Sequence, residues 1–344
     1  MKKIFVLLTV VTSFIGSIQA QDAKNLYLTK SLSSENIKNI LARTSGGSIH
    51  VTGTGSNPRI EVYIQSNNFR VTPLSKDEIK KRLDDYYELS VEASSGKLTA
   101  IAKQKENFRD WKNGLSISFW IYVPQSVSSD LATSGGSIHL ENLAGTQQFR
   151  TSGGSLHMEK LSGKIDGKTS GGSIHIKESK DDIELHTSGG SVHADNCSGN
   201  IILATSGGSV RLNDLQGTIK ATTSGGSVHG DNINGDLSAH TSGGRVDLQG
   251  LSGSVDASTS GGGMHVEINE LGKYVTISNS GGNIDVTLPG NKGMDLKLRG
   301  DKVKTNTLNN FSGRMEDDEI TGTLNGGGVP VNIRTSGRVN LTLK

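Results

Sequence analysis

The side chains of this protein that could do chemistry recur at one interval. His139, His157, His175, His193, Arg211, His229, Asp247, His265 and Asp285 follow one another at steps of 18 residues, the last step being 20. Imidazole and carboxylate together suit zinc, copper or iron, so His229, Asp247 and His265, on neighbouring repeats, are candidate metal ligands. The run His139, His157, His175 and His193, continued by Arg211, offers a second chemistry. Four imidazoles held side by side repel one another once protonated, so acid would recharge or loosen that surface. A third reading needs no chemistry: a side-chain ladder left by repeat duplication, with Asp247 and Asp285 offsetting nearby positive charge.

Two residues further along the repeat stand Glu141, Glu159, Asp195 and Asp231, with Lys177 and Asn213 between them, and Asp181-Asp182 interrupts one corner. Polysaccharide-active solenoids need paired carboxylates on one exposed face. These acids are separated, and the repeats lack aromatic residues to grip a sugar, so glycan chemistry is the weaker alternative. The serines recur for corner or ladder reasons and none has a nucleophile's setting. The Gly-Gly pairs are followed neither by a helix nor by a Lys-Ser/Thr pair, which argues against a phosphate cradle. No aspartate lies in the glycine-rich turns, so calcium is not expected to hold them. Cys197 falls where other repeats carry Leu143, Leu161 or Leu215 and reads as a small buried hydrophobe. No cofactor is expected.

What positions these residues is a strict repeat. Thr-Ser-Gly-Gly begins at Thr133, Thr151, Thr169, Thr187, Thr205, Thr223, Thr241 and Thr259, always 18 residues apart. A fixed period of this kind means stacked coils in which each repeat position becomes a column. With the threonine as position 1, apolar residues gather at positions 6, 8, 11, 15 and 17, as in Val192, Ala194, Cys197, Ile201 and Leu203. Period-two alternation on either side of position 11 gives two short strands per coil. A hexapeptide helix would want aliphatic residues at positions 12 and 18, which hold Ser162, Lys168, Gln216 and Thr222 instead.

Position 7, between two inward positions, points outward, and at about 4.8 Å per coil its column spans roughly 40 Å. Position 1 points inward, where a threonine hydroxyl can bond along the stack. This leaves no outward threonine pair of the kind that orders ice. Glycines at positions 3 and 4 suit a corner that needs positive φ or close approach of stacked turns.

The remaining segments divide the chain. Residues 1–20 read as a secretory signal: Lys2 and Lys3 precede the apolar run Ile4 to Gly16, and Ala20 ends a small-residue site. Residues 21–130 hold an early repeat copy, Thr44-Ser-Gly-Gly-Ser-Ile-His50, then a cap with a helix opened by the capping box Ser75 to Glu78, a hairpin around Ser95-Gly96, and most of the aromatic residues of the mature chain, including Trp111 and Trp120. Residues 131–288 are the regular solenoid and 289–344 its irregular C-terminal coils. A net charge of +2 gives no case for nucleic acid. No later apolar run is long enough to span a bilayer. The lone cysteine leaves stability to the stacked backbone.

The closing Tyr122-Val123-Pro124 strand, the Ser-Gly-Gly-Ser-Ile/Val copies, Val286-Thr-Leu-Pro289, Asn325-Gly-Gly-Gly328 and Arg334-Thr-Ser-Gly337 resemble a family of bacterial β-strand-repeat, adhesin-like proteins of unknown function, related to the head domain of autotransporter-type adhesins. The resemblance implies an all-β, right-handed parallel β-solenoid in the envelope or outside the cell, and it brings no catalytic residues. The expectation is a non-enzymatic exported protein, an adhesin or envelope interaction protein. Its partner is a protein or glycan in the periplasm or at the cell surface.

Overall fold

A computed structural model describes residues 26–67, 74–106 and 113–344. The expected signal segment and Trp111 lie outside the described residues. The fold is a nearly all-β stack in which each repeat supplies two strands, such as Val192–Asp195 and Ser198–Thr205. Position 10 bends the chain between them through left-handed backbone, at Asn196 (φ 49°) and Asp214 (φ 52°) among others. From Val210 onward the strand continues across this bend, so that Val210–Thr223, Val228–Thr241 and Val246–Thr259 run as single strands. Neighbouring coils pair in parallel and in strict register: Thr187 lies beside Thr205, which lies beside Thr223. Like positions therefore stack on like. The core is one continuous file of buried aliphatic side chains from Leu32 to Leu341. Cys197 sits within it, and burial pushes its thiol pKa up.

Position 1 faces inward, as the alternation predicts, and each threonine staples two corners. Thr187 Oγ1 donates to Gly172 O of the preceding coil at 2.8 Å and accepts the Gly190 N–H at 3.3 Å. The same pair of bonds recurs at Thr151, Thr169, Thr205, Thr223 and Thr241. Where Asn279 replaces threonine, its amide reaches Gly262 O instead. Position 5 makes a second ladder, in which each serine N–H is bonded by the serine Oγ of the coil before, as from Ser191 to Ser173. Valine at position 187 would keep the shape and leave a buried carbonyl and amide without a partner, a cost of about 1–3 kcal/mol. Thr187→Val is therefore expected to lower the unfolding free energy by that amount, read from the shift of the urea midpoint at constant slope, and an unchanged midpoint would show that the staple contributes nothing.

Both ends are closed by the same device. The first coil, Asn39–Thr44 and Ile49–Gly53, is not terminal in space: it lies between Ser128–Thr133 and Ile138–Glu141 on one side and Lys97–Gln104 and Leu115–Val123 on the other. Beyond these, Arg59–Ser66, Tyr87–Ser94 and Leu26–Ser31 turn antiparallel. The helix Lys76–Tyr86, capped by Ser75, packs Ile79 and Leu83 against the core. At the other end Val329–Thr335 and Arg338–Leu343 slot between Met264–Asn279 and Ile284–Leu288 on one side and Met294–Arg299 and Lys302–Thr305 on the other. The last strand is thus paired on both sides rather than left as an open edge. Antiparallel strands Glu319–Leu324 and Phe311–Met315 cover Met294–Arg299, while Lys302–Thr305, which pairs in parallel with Arg338–Leu343, is only four residues long; covering an edge and keeping it short both limit pairing with another chain. The register shifts within the regular repeats, between Leu248 and Val255, where the next coil is two residues longer.

Candidate functional site

Position 7 forms the polar column, and the structure extends it beyond the regular repeats. His50 lies beside His139 on one side and Trp120 on the other. The ring stack runs Trp120, His50, His139, His157, His175, His193, with centroids 4.4, 4.3, 4.6, 5.2 and 4.8 Å apart in turn. His50 and His139 are nearly parallel at 2°, and the last pair is tilted by 37°. Strand pairing dictates the spacing, since neighbouring strands lie about 4.8 Å apart.

Trp120 closes the stack at the cap, with Tyr63 tilted against it at 5.5 Å. Tyr122, the next outward residue on the same strand, carries the Arg59 guanidinium 3.8 Å above its ring. His50 thus covers a face of Trp120, and Arg59 a face of Tyr122, from within the protein.

The buried end of the stack titrates abnormally. Burial, and then the charge of His139 and His157, pulls His50 down to about 3. Burial and His157 take His139 to about 4. His157 and His193 are lowered by burial and then by the charge of His175, with Arg211 adding to the charge felt by His193. At neutral pH His50, His139, His157 and His193 are therefore uncharged.

The stack forms one wall of a groove of about 520 Å³ whose other wall is position 9, including Glu141, Glu159, Lys177 and Asp195. Glu159 is bonded to Lys177 at 2.8 Å and to Lys160 at 3.0 Å, which holds its carboxyl below the usual range, the Lys177 bond foremost. An acid held ionised in this way is a poor proton donor.

Further along the column Arg211 separates the stack from His229, Asp247 and His265, which occupy three successive coils in direct register. Among the described residues no three His, Cys, Asp or Glu side chains converge where a metal ion could sit. Asp285 and then Asn340 continue the column, with Asn340 Nδ2 donating to Asp285 Oδ1 at 2.6 Å.

His50 was open to sequence reading, because it stands at position 7 of the Thr44 copy. Trp120 was not: only the excursion of the chain through the cap brings its strand back against Ile49–Gly53.

A stack of in-register coils closed at both ends defines a solenoid scaffold with side-chain columns as its working surface. Residues 177–342 match the Toastrack DUF4097 family model. No curated protein matches the chain. Among solved structures, a provisionally named cell adhesion protein from Clostridium sporogenes is 11% identical, with 92% of this chain and 98% of that one covered and a TM-score of 0.21. A provisionally named adhesin from Bacteroides fragilis is 12% identical, covers 93% and 98%, and has a TM-score of 0.24. A provisionally named lipid binding protein from Parabacteroides distasonis is 12% identical, covers 91% and 96%, and has a TM-score of 0.33. Among the described residues no helix is long and apolar enough to cross a membrane.

Proposed function

We propose that this is an exported, non-enzymatic interaction protein of the adhesin class, a stiff rod that offers repeated contacts to an extended partner in the envelope or at the cell surface. The observation that carries the reading is the strict register, which turns each outward repeat position into a column along the stack. Weak contacts repeated along a rigid column add without a further ordering cost, and their sum can be strong. Export rests on the signal-like residues 1–20. The ion-paired setting of Glu159, and the spacing of the other position 9 acids one to a coil, support a binding surface over a hydrolytic one.

Protease treatment of intact cells is the test, with a periplasmic protein as the leakage control. Loss of the mature chain from intact cells is the expected result. Protection in intact cells with cleavage after lysis would remove the cell-contact role and leave a role inside the envelope.

A further inference from the structure

A second groove, of about 870 Å³, runs along the Thr-Ser corner between positions 18 and 2. Its basic lining is Arg43, Lys103, Arg150, Lys168 and His186, and no carboxylate lines it. All but Lys103 stand on the rungs of one ladder: Arg43 lies beside Ala132, Ala132 beside Arg150, Arg150 beside Lys168, and Lys168 beside His186. Facing them across the buried threonines is a row of exposed hydroxyls, including Ser134, Ser152, Ser170 and Ser188.

Acids do lie nearby, on the outer flank at position 16. Asp130 takes Arg43 at 2.5 Å, Asp166 stands 3.7 Å from Lys168, and Glu184 bonds His186 at 2.9 Å. At Arg150 the flanking position is Gln148, and neither Arg150 nor Lys103 makes an ion pair among the described residues. Both are exposed.

We infer that this corner groove binds a linear acidic polysaccharide of the polyuronate type. The inference rests on the interaction reading above and gives that reading a partner class. A uronate chain carries one carboxylate and several hydroxyls on every ring, and when extended it advances by about one coil spacing per ring. A guanidinium takes a carboxylate through two parallel bonds, and serine hydroxyls on the facing wall exchange hydrogen bonds with the ring hydroxyls. Nucleic acid fits poorly: the lining holds no Phe, Tyr or Trp for successive bases to stack on, and the acid flank would repel a wider polyanion. Inorganic polyphosphate has the charge but nothing to engage the hydroxyl wall.

The experiment is calorimetric titration of the purified mature chain with polygalacturonate, dextran and polyphosphate, at low and at physiological ionic strength. Polygalacturonate is expected to bind with an affinity that falls as salt rises, and dextran to give no heat. The double variant Arg150→Gln/Lys168→Gln is expected to bind about tenfold or more weakly, a loss of at least about 1.4 kcal/mol, with its thermal midpoint unchanged. Arg211→Gln, on the other column, should bind as the parent does. Absence of polygalacturonate heat at low salt overturns the inference. So does polyphosphate binding of equal strength, which would mark a generic basic patch, or an equal loss in Arg211→Gln. Because the measurement uses isolated protein, failure here leaves the protease result on cells to decide the broader reading.

Discussion

Gly190→Ala is expected to unfold the solenoid or cost at least about 3 kcal/mol, at the upper end of what an extra methyl costs a packed interior. The same change one residue earlier, Gly189→Ala, is expected to be tolerated. A Cβ at Gly190 would stand 2.1 Å from Gly172 O and 2.4 Å from its carbonyl carbon, both backbone atoms of the preceding coil. They cannot retreat without breaking the staple from Thr187 to Gly172 and the strand pairing on either side. A Cβ at Gly189 would meet Ser170 O at 3.5 Å and Gly171 O at 3.6 Å, which is ordinary contact. Neither glycine has positive φ, so alanine is not strained there by its own backbone. At Gly189 it also narrows the unfolded ensemble, a gain of about 0.4–1 kcal/mol. Thermal midpoints of the two variants side by side are the measurement, and equal losses in both would refute the close-approach account. The pattern holds up the stack, because a Cβ at Gly136, Gly154, Gly172, Gly208, Gly226, Gly244 or Gly262 would fall 1.9 to 2.2 Å from a backbone oxygen.

That contrast shows what a sequence of this kind can and cannot convey. Thr-Ser-Gly-Gly presents two identical letters, and nothing local separates the glycine pressed against the next coil from the one beside it. The alternation around Val192, Ala194, Cys197, Ile201 and Leu203 did carry the inward columns, because side-chain direction in a strand is a local property. The outward direction of His139, His157 and His193 followed by the same rule.

The cap was legible in its pieces and not in its placement. Ser75 and Glu78 announce the helix through a contact three residues apart, and Ser95-Gly96 announces the hairpin through its turn. No short-range signal says that the strand carrying Trp120 returns to the far side of His50. The cationic groove escaped for the same reason. Lys168 and Arg150 share a repeat position, but Arg43 joins them only because the first coil is threaded between the cap and Ser128–Thr133.

Acid is expected to destabilise the folded protein between about pH 6.5 and 4, and most of that sensitivity to vanish when His50 and His139 are both replaced by phenylalanine. The unfolded chain takes up protons on histidine near pH 6.5. The folded chain holds His50 neutral until about pH 3 and His139 until about pH 4, burial being the larger cause in each. Between those limits the unfolded state binds more protons, so stability is fully present above pH 6.5 and is lost as pH falls toward the folded pKa values. His50 alone contributes a slope of roughly 1 kcal/mol per pH unit in that window. His139, more open to solvent, contributes less because water screens it.

Phenylalanine keeps a flat ring beside Trp120 and removes the titration, so the double variant should lose far less stability between pH 7 and 4.5 when followed by urea midpoints. The ionised carboxylates Glu159 and Glu184 are held down by their partners Lys177 and His186, so their share of acid loss falls below about pH 4.5 and is separable. An unchanged slope in His50→Phe/His139→Phe would mean that the stacked imidazoles take up protons without disturbing the fold. The opposite change, Trp120→Ala, uncovers His50 to water, so its folded pKa should rise toward the free value and the acid slope should also shrink, now with the imidazole still in place.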